Sequence, residues 1–316
     1  MLALETDGLT KDYLVGFWRP TPYRALDHLT LQVAQGEVFG FLGPNGAGKS
    51  TAIKLFIQLI FPTSGQARIL GEPVGALSVK RRLGFLPENP TFYDYLTAEE
   101  LLDYFARLFG IPAHERKARV SAVLDEVGLG KERRLRLRGY SKGMVQRVGI
   151  AQAILNRPDI VFLDEPMSGL DPLGRRDVRQ LMIGLRDRGC TVFFSSHILS
   201  DAEALCSQVG IVAHGRLVGG GRLSDLLAFE RKGWELVVDR LSDTALAALG
   251  PRARKVVALG HGRFSIELPP DPPDAVLGEL SAAGAEVRSL NPLRDTLESY
   301  FVQHVAATPA RDTSRL

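Results

Sequence analysis

Two spacings of apolar residues run through this chain. Glu37–Leu42, Ile160–Leu163 and Thr191–Ser195 are short, largely apolar runs, the pattern of strands buried on both faces. Arg68–Leu70 and Arg82–Leu86 are two shorter candidates. Between them lie stretches with apolar residues three and four apart. Lys49–Ile60 carries Ile53, Phe56, Ile57 and Ile60 on one helical face, and Ala98–Phe109, Ala113–Val127, Tyr140–Leu155 and Leu173–Arg188 read as helices in the same way. Thr97-Ala98-Glu99-Glu100 is a capping box at the head of the second of these. The alternation of strand and helix predicts a mainly parallel sheet flanked by helices. Ahead of it, Leu2–Glu5 and Leu26–Val33 read as strands joined by the aromatic, proline-punctuated insert Tyr13–Tyr23, which predicts a long hairpin tip.

Beyond Gly219-Gly220-Gly221 and a helix over Ser224–Phe229 the pattern restarts. Strand Trp234–Asp239, helix Ser242–Leu249, strands Lys255–Leu259 and Arg263–Leu268, helix Pro273–Ala283 and strand Glu286–Leu290 give the order βαββαβ of a ferredoxin-like split βαβ unit, with a last helix over Leu293–Val305. Ala306–Leu316 has almost no apolar content, which predicts a disordered tail.

Chemistry enters between the first long strand and helix. Gly43-Pro44-Asn45-Gly46-Ala47-Gly48-Lys49-Ser50-Thr51 fits the pattern G-x-x-x-x-G-K-[ST] of a phosphate-binding P-loop, in the strand, loop, helix context it requires. The glycines let successive N–H groups and the positive end of the helix dipole converge on one anion. Lys49 then reaches the β- and γ-phosphates, and the Ser50 hydroxyl is offered to Mg²⁺. The strand Ile160–Leu163 runs into Asp164-Glu165, placing two carboxylates at the C-terminal edge of a parallel sheet, where such folds bind ligands. Tyr13 is the first choice to stack on a base, with Phe17, Trp18 and Tyr23 as competitors.

Composition narrows the classes. A formal net charge of +3 with 24% charged residues lacks the concentrated basic excess of a nucleic-acid binder, so no nucleic acid is expected. The basic run Arg133, Arg134, Arg136 and Arg138 reads as a solvated face. The only cysteines, Cys190 and Cys206, sit in no metal-ligand spacing and read as core fillers of a protein in a reducing cytosol. No run approaches the roughly 20 apolar residues of a membrane span, so any membrane role falls to a partner chain.

Taken together, residues 1 to about 230 resemble the nucleotide-binding subunits of ABC transporters. Tyr140-Ser141-Lys142-Gly143-Met144 matches the family signature Leu-Ser-Gly-Gly-Gln at Ser141 and Gly143. Asp164-Glu165 follows, then Ser168-Gly169-Leu170-Asp171 as the D-loop and His197 as the switch histidine. GTPases, RecA-like ATPases and nucleotide kinases lack that succession. The resemblance implies a P-loop NTPase of ABC type over 1–230 with a helical insertion over about 91–157, followed by a ferredoxin-like accessory domain over 231–305. It implies ATP sandwiched between two subunits, Lys49 and Ser50 of one facing Ser141 and Gly143 of the other. Asp164 would hold Mg²⁺, Glu165 would polarise the attacking water, His197 would contact the γ-phosphate and Asp171 would link the two sites.

Three departures stand out. Glu88 replaces the usual Q-loop glutamine, and its carboxylate would approach Mg²⁺ or water. Lys142 and Met144 replace the first Gly and the Gln of the signature, and the aromatic insert leaves several platforms for adenine. Pro87-Glu88-Asn89, the Ser-Lys-Gly signature, the C-terminal extension and the segment Ser289–Glu298 are similar to those of ABC-2-type exporter subunits. The implied partners are a transmembrane permease and a second ATPase subunit, as homodimer or heterodimer, with the protein peripheral on the cytoplasmic face of the membrane. A soluble ABC ATPase with a non-transport role is the alternative. Such proteins usually carry tandem ATPase domains or a long heptad insert, and neither is in this chain. The accessory domain would regulate or pair subunits, or serve as a packing appendage.

Overall fold

Two 14-residue strands, β1 (Leu2–Val15) and β2 (Thr21–Ala34), pair antiparallel at the start of the chain. The computed structural model describes residues 1–16, 18, 20–227, 232–293 and 296–306. The hairpin is longer than its apolar alternation suggests because its outer part, where Tyr13 sits opposite Tyr23, is joined by backbone pairing rather than burial.

The wholly buried strand β3 (Val38–Leu42) feeds the glycine loop and α1 (Lys49–Phe56). This helix stops four residues short of the expected Ile60. Gln58 takes a left-handed backbone (φ 58°), its N–H donating to Leu55 O and that of Leu59 to Lys54 O. That bond pair is a Schellman cap, built on glutamine instead of the usual glycine, so the sequence carries no stop signal there. Then come β4 (Ser64–Ile69), β5 (Glu72–Pro73), α2 (Leu77–Arg81) and β6 (Leu83–Leu86).

The helices α3 (Ala98–Leu108), α4 (Ala113–Glu126) and α5 (Lys142–Ile154) follow. The capping box at the head of α3 is formed, with Glu100 N donating to Thr97 Oγ1 and Thr97 N to Glu100 Oε2. The chain returns through β7 (Ile160–Leu163), α6 (Pro172–Asp187), β8 (Thr191–Ser196), α7 (Leu199–Leu205), β9 (Gln208–Ala213), β10 (Arg216–Arg222) and the short α8 (Leu223–Leu226). The run Gly219–Gly221 lies inside β10, not between elements. Gly220 pairs with Gly210, and a Cβ at Gly220 would sit 2.7 Å from Val209 O, so glycine there serves close pairing. Of the expected helix Ser224–Phe229, the last two residues lie outside the described residues.

The central sheet has the order β10-β9-β3-β8-β7-β6, parallel from β9 to β6, with β10 antiparallel at one edge. A second sheet, β2-β1-β4-β5, is antiparallel. Phe193 in mid-β8 packs against Phe39, Phe41 and Phe162 at ring-centroid distances of 5.4 Å and Phe56 at 5.5 Å, all fully or nearly fully buried. This aromatic knot fixes β3, β7 and β8 together, and the C-terminal ends of these strands carry the site. Cys190 and Cys206 are both buried, as their composition suggested.

The chain divides into two compact units, one built on Met1–Leu223 and one on Ser224–Tyr300. The second holds β11 (Gly233–Asp239), α9 (Asp243–Leu249), β12 (Lys255–Gly260), β13 (Arg263–Leu268), α10 (Asp274–Ala282) and β14 (Glu286–Leu293), after which α11 (Leu297–Ala306) ends the described chain. Its antiparallel sheet runs β12-β13-β11-β14, the strand order of the split βαβ arrangement, around Leu236, Val238, Ile266 and Leu268. The last helix begins at Leu297 because β14 continues to Leu293.

Candidate functional site

Three chain segments meet at the C-terminal ends of β3, β7 and β8. The glycine loop wraps the N-terminus of α1, with Gly43 N donating to Ser196 O at the end of β8. Two of its glycines are forced. A Cβ at Gly43 would lie 2.3 Å from Val212 O, and Gly48 combines φ +105° with only 2.6 Å to Ala25 O. Lys49 is buried, and its ammonium donates to Gly43 O at 2.7 Å and Pro44 O at 3.2 Å, so the side chain lies back along its own loop.

Opposite it stand the two acids. Asp164 and Glu165 are both buried, and a single side chain organises them. Ser195 Oγ donates to Asp164 Oδ1 at 2.7 Å and accepts from Glu165 N at 2.8 Å. Glu165 has a left-handed backbone, φ 49°, which turns its carboxylate out of the strand line. Its Oε2 lies 2.8 Å from His197 Nδ1, and its Oε1 lies 3.1 Å from Lys49 Nζ. Oε1 is buried, and even the ammonium beside it is outside hydrogen-bond geometry. A buried carboxylate oxygen without a hydrogen-bond donor is costly unless a further partner reaches it.

Lys49 and Glu165 border a cavity of about 450 Å³ lined also by Asn45, Gly46, Ala47, Gly48, Ser50, Thr51 and Glu88, with Tyr13 and Tyr23 from the hairpin; Asp164 and His197 are not among its lining residues. Glu88, exposed at the end of β6, thus faces the same space as Ser50. Of the four aromatic candidates, Tyr13 and its competitor Tyr23 reach the cavity together. Trp18 is 90% exposed near the hairpin tip, and Phe17 lies outside the described residues. Among the described residues no three His, Cys, Asp or Glu side chains form a metal-binding cluster. Of the expected metal donors, Ser50 and Glu88 line the cavity while Asp164 is held by Ser195 behind it, and so sparse a set of oxygens suits only a cation that takes most of its ligands from phosphate and water, as Mg²⁺ does.

Ser141, Gly143 and Asp171 do not line this cavity and gather elsewhere. Ser141 caps α5, its Oγ accepting from Met144 N at 3.3 Å. A Cβ at Gly143 would lie 3.6 Å from the Leu170 side chain, and Asp171 caps α6 by accepting from Gly174 N at 2.8 Å. Gln146, buried on α5, donates to Pro166 O at 3.1 Å and so ties the signature helix to the segment after the two acids. Ser195 and Gln146 escape a reading by motif. The visible trace of the first is a strand of apolar residues, Val192-Phe193-Phe194, that closes on two serines beside the acids.

Residues 26–168 match the family model for the ABC transporter. The chain is 42% identical over 305 residues to an ABC transporter ATP-binding protein of Synechocystis, covering 96% of this chain and 84% of the relative. It is 37% identical to the bacitracin transport ATP-binding protein BcrA of Bacillus licheniformis, covering 95% of this chain and 96% of that one. Among solved structures it is similar to a dimeric ATP-binding cassette in a post-hydrolysis state with ADP and Pi. That match has 25% identity and a TM-score of 0.64, and it covers 70% of this chain and 98% of the other.

Proposed function

The chain belongs to the ABC transporter ATP-binding proteins, ATPases that drive transport, and from that premise we propose how its own residues divide the work. The observation that carries the reading is Glu165, held between Lys49 and His197 with one buried oxygen lacking a hydrogen bond. That oxygen is where a water would be gripped for attack on a γ-phosphate, and Lys49 is already within reach of the same point. The N–H groups of Gly46–Thr51 and the start of α1 cradle the phosphates, and His197 steadies the γ-phosphate end. Ser50 and Asp164 would hold Mg²⁺, with Glu88 able to approach it. When bound, the ion neutralises charge developing on the phosphates. Tyr13, with Tyr23, takes the base. Ser141 and Gly143 serve the nucleotide on a second subunit, and Asp171 links the two sites. Their separation from the P-loop cavity within one chain supports this.

We further assign residues 1–230 to the ATPase and 231–305 to an accessory domain, and the pairing to a homodimer or ABC heterodimer on the cytoplasmic face of a membrane. Among the described residues no helix is long and apolar enough to cross one, so a permease supplies the span. Likeness over nearly full length to a bacitracin transport ATPase supports export of the ABC-2 type. The reading is tested with Glu165→Gln, which keeps ATP binding, lowers phosphate release by roughly 10²–10⁴ and traps ATP-bound dimers. Wild-type turnover in that variant would overturn it.

A further inference from the structure

Asp27 is among the most heavily partnered carboxylates of the first unit, and it lies outside every motif above. It is buried on β2. Arg216 Nε from β10 lies 2.6 Å from its Oδ2, while Arg24 Nη1 at 3.1 Å and His28 Nδ1 at 2.8 Å meet its Oδ1. Burial pushes this carboxyl upward, but the bonds from His28, Arg216 and Arg24 outweigh it and hold the group far below the usual carboxylate range.

The network runs in two directions. Outward, Arg24 also grips Asp12 through Nε at 2.8 Å and Nη2 at 3.2 Å, next to the cross-strand pair Tyr13 and Tyr23. Inward, Asp27 N donates to Gly215 O at 2.8 Å, and Gly215 N donates to Ala47 O at 2.9 Å inside the glycine loop. Ala25 O meanwhile sits so close to Gly48 that a Cβ there would be 2.6 Å away. Asp27 therefore joins the aromatic hairpin to the β9–β10 turn and the phosphate loop, through its carboxylate to Arg24 and Arg216 and through its backbone N–H to Gly215.

We propose that Asp27 is a positioning residue that sets Tyr13 and Tyr23 at the height above the P-loop where they take the base of the nucleotide. This rests on the reading of that tyrosine pair as the base platform. The hairpin end reaches the cavity only as a two-stranded ribbon, and the paired charges at its base replace the buried core it lacks. The consequence is selective: disturbing Asp27 weakens recognition of the base and spares the phosphates.

The test compares ATP with inorganic tripolyphosphate, each with Mg²⁺, by calorimetric titration of the full chain. Asp27→Asn is expected to weaken ATP on the order of tenfold, the loss typical of charge-assisted hydrogen bonds, and to leave tripolyphosphate within about twofold. Asp27→Glu recovers most of the ATP affinity. Equal weakening of both ligands would overturn the proposal, because Asp27 would then be supporting the phosphate loop or the fold as a whole, and so would no weakening of either. Tyr13→Ala with Tyr23→Ala separates the two layers. If that variant leaves the ATP to tripolyphosphate ratio unchanged, the platform reading fails and the proposal with it. If the ratio moves there but not in Asp27→Asn, only the proposal fails.

Discussion

Glu165 and His197 meet across two adjacent parallel strands, the carboxylate Oε2 lying 2.8 Å from the ring Nδ1. Glu165 leaves β7 and His197 leaves β8, so strand pairing sets their separation. The histidine side chain remains 41% exposed while the carboxylate is buried. His197→Ala is expected to lower turnover roughly 10²-fold or more, the scale of one positioned group aimed at developing charge, with ATP affinity little changed. Phosphate release and nucleotide titration on the same preparation check both halves.

Burial makes the thiols inert in the native state. Cys190 is raised by burial from an ordinary 9.0 to about 12, and Cys206 is raised further by the same cause. At pH 8 Cys190 is then held as the unreactive thiol. Neither thiol should react with iodoacetamide until the chain unfolds. Above pH 9 the unfolded chain releases a thiol proton that the folded chain keeps to about pH 12, so stability falls with rising pH across that window. Cys190→Ala should flatten the fall, as read by chemical denaturation at pH 8 and 10.

Much of this is legible in the sequence. The P-loop, the two acids after β7, the capping box at Thr97 and the βαββαβ order of the second unit each depend on local pattern, and local pattern is what a sequence displays. The end of α1 was hidden because a glutamine occupies the left-handed cap position. After His197, β10 carries no legible strand signal, because it is an edge strand rich in glycine with weak alternation. Within the site, Ser195 and Asp27 were invisible for a different reason. Their partners lie 31 and 189 residues away, on Asp164 and Arg216, and only strand pairing brings them together.

The aromatic stretch before α3 offers a test of coupling. Tyr93 and Tyr95 are 59% and 60% exposed with ring centroids 5.7 Å apart, whereas Phe92 is half-buried. Leu137 N donates to Leu96 O and Arg138 N to Asp94 O, so this loop is bonded to the segment leading into the signature helix. Exposed paired aromatics suit an interface anchor, and this pair is taken as a contact for the permease. Tyr93→Ala with Tyr95→Ala should abolish co-purification with the membrane partner while shifting Tm by no more than about 2 °C. Intact assembly, or a large loss of Tm, would show that the pair braces its own domain.

Two chains are expected to complete each ATP site, because Ser141 and Gly143 lie apart from the cavity that Lys49 lines. Lys49→Ala and Ser141→Arg chains, each inactive alone, are mixed and heterodimer formation is confirmed by differential tagging. The heterodimer contains one site with both halves intact, so phosphate release should recover well above either parent, up to about half of wild type if the sites act independently. Confirmed heterodimers with no more activity than the parents would contradict a site shared between subunits.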